Sequence, residues 1–202
     1  MGIKTIHVVD DEEAVRRATS FLLKTMGYAV RDWSSGATFL DAANEVEPGI
    51  VLLDLRMPDM DGLEVMRSLS DRGLALPVVI LTGHGDIRIA VSAMSAGAVD
   101  FIEKPVEQGR LAEALDHAFG RLDEIADTSN RTDAAHRALA ALTPRERQVL
   151  EALAKGLPNK TIAYDLGISI RTVEVHRANL MKKLDVRTFP DALRIAFAAG
   201  LG

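Results

Sequence analysis

The sequence predicts an α/β domain built on a parallel sheet, followed by a smaller all-α domain. Over residues 1–120, short β-branched runs alternate with longer amphipathic stretches, which is typical of a parallel sheet covered by helices. Four helical patterns with cap residues follow from about residue 141. The net charge of −5 is unevenly divided, with 14 basic and 23 acidic residues in 1–142 against 10 and 6 in 143–202. We therefore expect different partners for the two halves, and a polyanion for the second.

Five runs of the first domain are predicted as strands, at residues 6–9, 28–32, 50–53, 77–81 and 99–101. The segment from Glu13 to Met26 has helical periodicity and is closed by Gly27. The runs at 50–53 and 77–81 are almost continuously apolar, which favours strands that are buried on both faces.

Polar residues follow these strands where a parallel sheet places its ligands. Asp10 and Asp11 follow the first run, Asp54 the third, Thr82 the fourth and Lys104 the fifth. Three carboxylates at one edge repel each other and require a cation, and oxygen ligands of this kind suit Mg²⁺. A carboxylate beside a divalent ion and a lysine is poised to attack a phosphoryl donor. Taken singly, each residue could instead be a turn residue or a helix cap.

Several motifs in this half resemble those of response-regulator receiver domains, whose fold is flavodoxin-like (CheY-like) with five parallel strands. The matching segments are Val9–Glu12, Leu53–Pro58, Asp61–Gly62, Leu81–Gly83 and Lys104–Pro105. The resemblance implies that Asp54 is the phosphoacceptor and that Lys104 balances the phosphoryl charge. It also implies that Mg²⁺ (or Mn²⁺) is placed by Asp10, Asp11, Asp54 and the backbone carbonyl of Arg56.

The same resemblance implies that Thr82 and Phe101 form a two-state switch, in which the aromatic ring turns inward when the hydroxyl moves toward the phosphoryl group. The alternative for Phe101 is a permanently buried core ring.

The sharpest enzyme alternative is a phosphatase of the haloacid-dehalogenase type, but such enzymes place a second aspartate two residues after the first. Arg56 occupies that position here. We therefore expect a phosphoacceptor switch with at most slow autodephosphorylation, not an enzyme.

The junction is predicted to be a partly helical or flexible linker over residues 121–140. The polar stretch 127–130 is the expected break, and the final receiver helix is expected to extend through about 110–126. The domain boundaries are therefore set at 1–120, 121–140 and 141–202.

The second domain begins at a strong helix start and has the layout of a helix-turn-helix protein. Thr143 is predicted as the N-cap, Pro144 as the first helical residue and Glu146 as the partner in a capping box. A short helix then stops at Gly167, and Ser169 caps a longer basic helix. A fourth helix is expected over 188–199, as a secondary dimer contact.

The third helix carries residues that its apolar stripe does not need, and we interpret them as DNA contacts. Arg171, Arg177, Lys182 and Lys183 would neutralise phosphates. Glu174 and Val175 could contact base edges. The further candidates are Lys160, Thr172, His176, Ala178 and Asn179. The alternative is an amphipathic helix with a solvated charged face.

This half resembles the LuxR/NarL type of DNA-binding domain. The matching segments are Leu142–Glu146, Asn159–Ala163, Ser169–Arg177 and Met181–Leu184. The resemblance implies that Lys160, Thr172 and His176 anchor the helix on the DNA backbone, and that positions 174, 175 and 178 face bases. Several relatives have lysine at the first and last of these positions, whereas this chain has Glu174 and Ala178. The base contacts of those relatives, and hence their operator sequence, therefore cannot be transferred to this chain. The two resemblances in this order are those of the FixJ family of nitrogen-fixation regulators.

The expected function is that of a response-regulator transcription factor in a two-component system. It would take a phosphoryl group from a sensor histidine kinase, dimerise and bind promoter DNA, with activation of transcription as the expected outcome and RNA polymerase as a candidate partner. With no cysteine and no apolar stretch of the length of a membrane span, we expect a cytoplasmic protein without thiolate chemistry. The alternatives are an aspartyl-phosphate-forming phosphatase and a phosphorelay protein with a vestigial DNA-binding domain.

Overall fold

The apolar runs of the first half form one parallel sheet, which confirms the predicted fold class. The computed structural model describes residues 4–83 and 87–201. The strands are β1 Thr5–Val9, β2 Ala29–Trp33, β3 Ile50–Asp54, β4 Val78–Thr82 and β5 Asp100–Glu103. They pair in the order β2-β1-β3-β4-β5, and every pair is parallel. The predicted runs match these strands to within one or two residues at each end.

Helices cover both faces of the sheet because alternate strand residues point to opposite sides. In the first half these helices are α1 Glu13–Thr25, α2 Gly36–Ala42, α3 Gly62–Asp71, α4 Ile87–Ser95 and α5 Gln108–Ala140. Val51 and Leu53 of β3 pack in a core with Phe39 of α2, whereas Leu52 packs in a second core with Leu115 of α5. Strands with apolar residues on both faces are therefore buried completely, as the runs at 50–53 and 77–81 predicted.

The longest helix, α5, corrects the prediction of a break at residues 127–130, because it runs from Gln108 to Ala140. Residues 121–140 contain neither glycine nor proline, and the cost of a polar residue on an exposed helical face is only a few tenths of a kcal/mol. Ala135 and Leu139 are also buried, so the later turns of this helix are held by packing. The chain divides within the predicted linker, since one compact unit ends at Ile125 and the next begins at Ala126.

The second unit contains the four predicted helices, which are α6 Pro144–Ala154, α7 Asn159–Leu166, α8 Ile170–Lys183 and α9 Phe189–Ala198. The capping box between Thr143 and Glu146 is confirmed, and Pro144 is the first residue of α6. Gly167 ends α7 with φ 67°, a left-handed conformation that glycine adopts without strain. Across the described residues, no helix has the length and hydropathy that a membrane span requires.

Candidate functional site

The carboxyl ends of the strands bring most of the predicted receiver residues together. Asp10 follows β1, Asp54 is the last residue of β3, and Lys104 follows β5. The Lys104 ammonium lies 2.8 Å from Asp10 Oδ2 and 3.0 Å from Asp54 Oδ1. Asp10 is completely buried and Asp54 is 4% exposed, so this contact is shielded from water. A single ammonium therefore bridges two buried carboxylates from different strands.

The three aspartates also form a group that could hold a metal ion. Asp10, Asp11 and Asp54 each offer a carboxylate oxygen, and these atoms lie within 4.8 Å of one another. Three carboxylates face one ammonium, so the cluster has an excess of negative charge that a cation would neutralise. This donor set consists of carboxylate oxygens, which hard divalent cations prefer.

Burial dominates the electrostatics of the central aspartate. It raises the pKa of Asp54 above its ordinary value, and the neighbouring Asp10 charge acts in the same direction, while Lys104 offsets only part of the effect. Burial alone would lower the pKa of Lys104, but its hydrogen bonds to the two aspartates outweigh this and the net pKa is raised. Lys104 is therefore held as the cation, and it offsets the effect of burial on Asp54 only in part.

The loop after Asp54 folds back closely because of one glycine. A Cβ atom on Gly62 would lie 2.7 Å from the backbone oxygen of Asp54, so only glycine fits at the start of α3. Asp61 caps this helix through a capping box with Glu64. The sequence pattern contained Asp61–Gly62 but gave it no role, and the structure supplies one. Arg56 lies in this loop with an exposed side chain, and the role of its carbonyl stays a prediction.

The two predicted switch residues differ in exposure. Thr82 is the last residue of β4 and is 8% exposed, and its hydroxyl donates to the Gly83 carbonyl oxygen at 3.1 Å. Phe101 lies on β5 and is 41% exposed, whereas its neighbour Ile102 is buried. The alternative of a permanently buried core ring at Phe101 is therefore wrong.

In the second unit, the sequence builds a helix-turn-helix around α7 and α8. The Ser169 hydroxyl accepts from the Thr172 N–H at 3.1 Å, which starts α8 where the cap was predicted. Val173 and Leu180 are fully buried in the core of this unit, so they fix which face of α8 points inward. The opposite face of α8 is therefore available to a ligand.

The predicted DNA contacts fall into two groups on this framework. The exposed residues are Lys160, Arg171, Glu174, Val175, Ala178, Asn179, Lys182 and Lys183, and the half-buried ones are Thr172, His176 and Arg177. Two of the cations already have partners inside the unit. Arg177 donates to Asn159 and Lys183 donates to Glu146. Sequence reasoning missed these two partners, because they are 18 and 37 residues from the cations they bind.

Comparisons with known proteins agree with both halves of this description. Residues 6–116 match the family described as "Response regulator receiver domain", and residues 140–196 match "Bacterial regulatory proteins, luxR family". The chain therefore belongs to the response regulators that join a receiver domain to a LuxR-family DNA-binding domain. Proteins of this class are transcription regulators of two-component systems, not classical enzymes, and the architecture implies a sensor kinase and DNA as partners.

Within this class the chain is FixJ-like. The transcriptional regulatory protein FixJ of Rhizobium meliloti (strain 1021) is 50% identical over 199 residues, which cover 98% of this chain and 97% of that protein. FixJ of Azorhizobium caulinodans is 45% identical over 196 residues, covering 97% and 93%. Full-length FixJ from B. japonicum has a TM-score of 0.61 at 39% identity, covering 100% of both chains. The response regulator StyR has a TM-score of 0.78 at 37% identity, covering 97% and 99%.

Proposed function

We propose that Asp54 accepts a phosphoryl group and that this modification controls DNA binding by the C-terminal domain. The observation that carries the proposal is the Lys104 ammonium, which contacts both Asp10 and Asp54 and lies within reach of a phosphoryl oxygen placed on Asp54. A carboxylate oxygen of Asp54 would form a bond to phosphorus while the bond from phosphorus to the donor breaks. The natural donor in this proposal is the phosphohistidine of a sensor kinase.

The residues around Asp54 would bind and orient the phosphoryl group. Lys104 would pair with one phosphoryl oxygen and the Thr82 hydroxyl would donate to another. Asp10, Asp11 and Asp54, with the Arg56 carbonyl, would hold Mg²⁺ (or Mn²⁺), which supplies positive charge for the phosphoryl oxygens when bound. The excess of carboxylates supports such a cation.

The same site favours a persistent signal. An enzyme that hydrolyses an aspartyl phosphate rapidly needs a general acid or base beside the reacting oxygen, and Arg56 occupies the position where such an acid would stand. We therefore expect slow autodephosphorylation, so that the modified state lasts long enough to act on DNA. Steady release of phosphate over many turnovers per second would support the phosphatase alternative instead.

Phosphorylation would change the shape of the surface that contains Phe101. This ring and the side chains of Val91 and Met94 on α4 are 41%, 59% and 42% exposed, which leaves apolar area for a second copy of the chain. When Thr82 moves toward the phosphoryl group, the Phe101 ring would turn inward and change this surface. We propose that the resulting homodimer places two copies of α8 on neighbouring DNA half-sites, with α9 as a secondary dimer contact and RNA polymerase as a further partner.

Labelling with a small phosphodonor tests the phosphoacceptor directly. We expect radioactive acetyl phosphate with Mg²⁺ to label the full-length protein, and Asp54→Asn to abolish the labelling because no carboxylate remains to attack phosphorus. Asp59→Asn is the matched control, since Asp59 lies in the following loop and should leave the labelling unchanged. Retained labelling in Asp54→Asn would move the acceptor to another residue.

A further inference from the structure

We propose that the cations of α8 have two separate tasks: Arg177 and Lys183 are positioning residues that hold the helix within its domain, whereas Arg171 and Lys182 face the DNA phosphates. This inference deepens the proposed function, because it rests on α8 being the DNA-contacting helix. It changes the interpretation of the basic pattern, in which all four residues were equivalent candidates.

Arg177 connects α8 to two other helices. Its Nη1 donates a hydrogen bond of 3.0 Å to Asn159 Oδ1, at the first residue of α7. Its guanidinium carbon also lies 4.9 Å from the centre of the Phe189 ring, at the first residue of α9. A planar guanidinium can stack on a ring with its face while its edge donates hydrogen bonds, a geometry that an ammonium lacks. Arg177 is half-buried, and its guanidinium is engaged by both of these neighbours.

Lys183 connects the end of α8 to the start of α6. Its ammonium lies 2.7 Å from Glu146 Oε2, and the same oxygen accepts the Thr143 N–H at 2.8 Å. Glu146 is only 4% exposed, so its charge depends on these partners. If Lys183 turned to a DNA phosphate, it would leave a buried carboxylate with one partner fewer, which is costly. The contact therefore keeps Lys183 on its own domain.

Arg171 and Lys182 lie on the other side of the helix. With 3.6 residues per turn, Arg171, Val175, Ala178 and Lys182 follow one stripe at separations of four, three and four residues. This stripe is opposite the buried residue Val173, and all four of its members are exposed. Within the described part of the chain, Arg171 and Lys182 have no ion pair or hydrogen bond through their side chains. Their charges are therefore free to meet phosphates without breaking an internal contact.

Adjacent lysines provide a matched pair of variants. Lys182→Met and Lys183→Met each remove one charge and keep a side chain of similar length, and Arg171→Met and Arg177→Met repeat the comparison. The affinity of the full-length protein for a random-sequence DNA duplex would be measured at salt concentrations between about 50 and 200 mM. The temperature of the measurement would be well below the melting temperature of every variant. Each phosphate contact contributes about 0.9 to the slope of log affinity against log salt concentration.

We expect Lys182→Met and Arg171→Met to reduce this slope by about 0.9 each and to leave the melting temperature unchanged. Lys183→Met and Arg177→Met should keep the slope of the natural sequence, lose affinity about tenfold at every salt concentration because α8 is misplaced, and lower the melting temperature of the second unit by at least about 4 °C. Arg177→Lys keeps the charge but not the planar group, and it should behave like Arg177→Met.

A slope reduced by about 0.9 in Lys183→Met or Arg177→Met would overturn the proposal, because it would show a phosphate contact. An unchanged affinity in these variants would also overturn it, because the residues would then act on stability alone. Should Lys183→Met fail to fold, the double variant Glu146→Gln/Lys183→Met removes both charges and provides the slope. If the natural sequence shows no salt-dependent DNA binding, the proposed function fails instead, and the melting temperatures still test the internal contacts.

Discussion

The two domains each bury a carboxylate beside a lysine, but they use the pair in opposite ways. Asp54 in the receiver and Glu146 in the DNA-binding domain are both 4% exposed. The lysine nitrogen lies 3.0 Å from the carboxylate in the first pair and 2.7 Å in the second. Both sites thus place a lysine within hydrogen-bond distance of a buried carboxylate, an aspartate in the first and a glutamate in the second.

The two carboxylates differ in the direction in which folding shifts their pKa. Burial raises the pKa of Asp54, and the charge of Asp10 acts in the same direction, while Lys104 offsets only part of this. Burial acts in the same direction on Glu146, but the hydrogen bonds from Lys183 and Thr143 outweigh it, and the net pKa lies below its usual range. In the receiver, three carboxylates share one ammonium and the pKa of Asp54 is raised, whereas the partners of Glu146 lower its pKa. The receiver cluster, which we propose takes up a cation and a phosphoryl group, has three carboxylates for one ammonium, whereas the pair of Glu146 and Lys183 joins two helices of one domain.

The largest expected effect is on the compensated pair. Glu146→Gln removes the buried carboxylate charge that pairs with Lys183. We expect the free energy of unfolding of the second unit to fall by about 2 kcal/mol. Calorimetry of the full-length protein measures this. Glu151→Gln is the matched control on the same helix, because its ion pair with Arg147 is exposed, and it should change stability by less than about 0.5 kcal/mol. Equal effects of the two substitutions would contradict the expectation that the buried pair of Glu146 and Lys183 contributes more to stability than the exposed pair of Glu151 and Arg147.

The same acid-to-amide change should have the opposite sign in the receiver. Asp54→Asn removes, from a crowded group of three, a carboxylate whose pKa is raised by folding, and we expect the free energy of unfolding of the first unit to rise by about 1 kcal/mol without divalent cations. Trp33 is the single tryptophan of the chain and lies on β2, so its fluorescence during urea unfolding reports on this unit. The exposed acid Asp41 provides the control Asp41→Asn, which should have no effect. A loss of stability in Asp54→Asn would contradict the shortage of positive charge at this site.

A smaller effect should appear in the pH dependence of the second unit. Because folding lowers the pKa of Glu146, its contribution is fully present above the unfolded value of about 4.3 and is lost as pH falls through the lower folded value. The stability difference between the natural sequence and Glu146→Gln should therefore be constant from pH 7 to about 5 and shrink on further acidification. A difference that begins to shrink near neutral pH would contradict the direction of this shift.

Much of the receiver site could be predicted from the sequence, because parallel strands bring their carboxyl ends to one edge. Asp10, Asp54 and Lys104 were placed by that rule alone, and they meet in the structure. The sequence analysis placed neither α2 nor α3 nor α4, and α2 is the hardest of them to find because it has only seven residues and its main local signal is the Ser35 cap. The break at 127–130 was wrong because polar composition was taken as a turn signal where neither glycine nor proline is present.

The DNA-binding surface was less predictable, for a physical reason. A helical pattern identifies which residues avoid the core, and Arg171 and Lys182 were found in this way. It does not identify an anion brought in from another helix. The contact of Lys183 with Glu146 joins residues 37 positions apart, so only the fold shows that this lysine is already paired.

The coupling between the two domains is the central claim, and DNA affinity with and without phosphorylation tests it most directly. A fragment selected from genomic DNA by the acetyl-phosphate-treated protein would be titrated with treated and untreated protein, and with treated Asp54→Asn. We predict that treatment with acetyl phosphate and Mg²⁺ tightens binding by the natural sequence by at least about tenfold, within the usual range of allosteric coupling, and leaves Asp54→Asn unchanged. Equal affinity of treated and untreated protein, or equal tightening in Asp54→Asn, would contradict control of DNA binding through this aspartate.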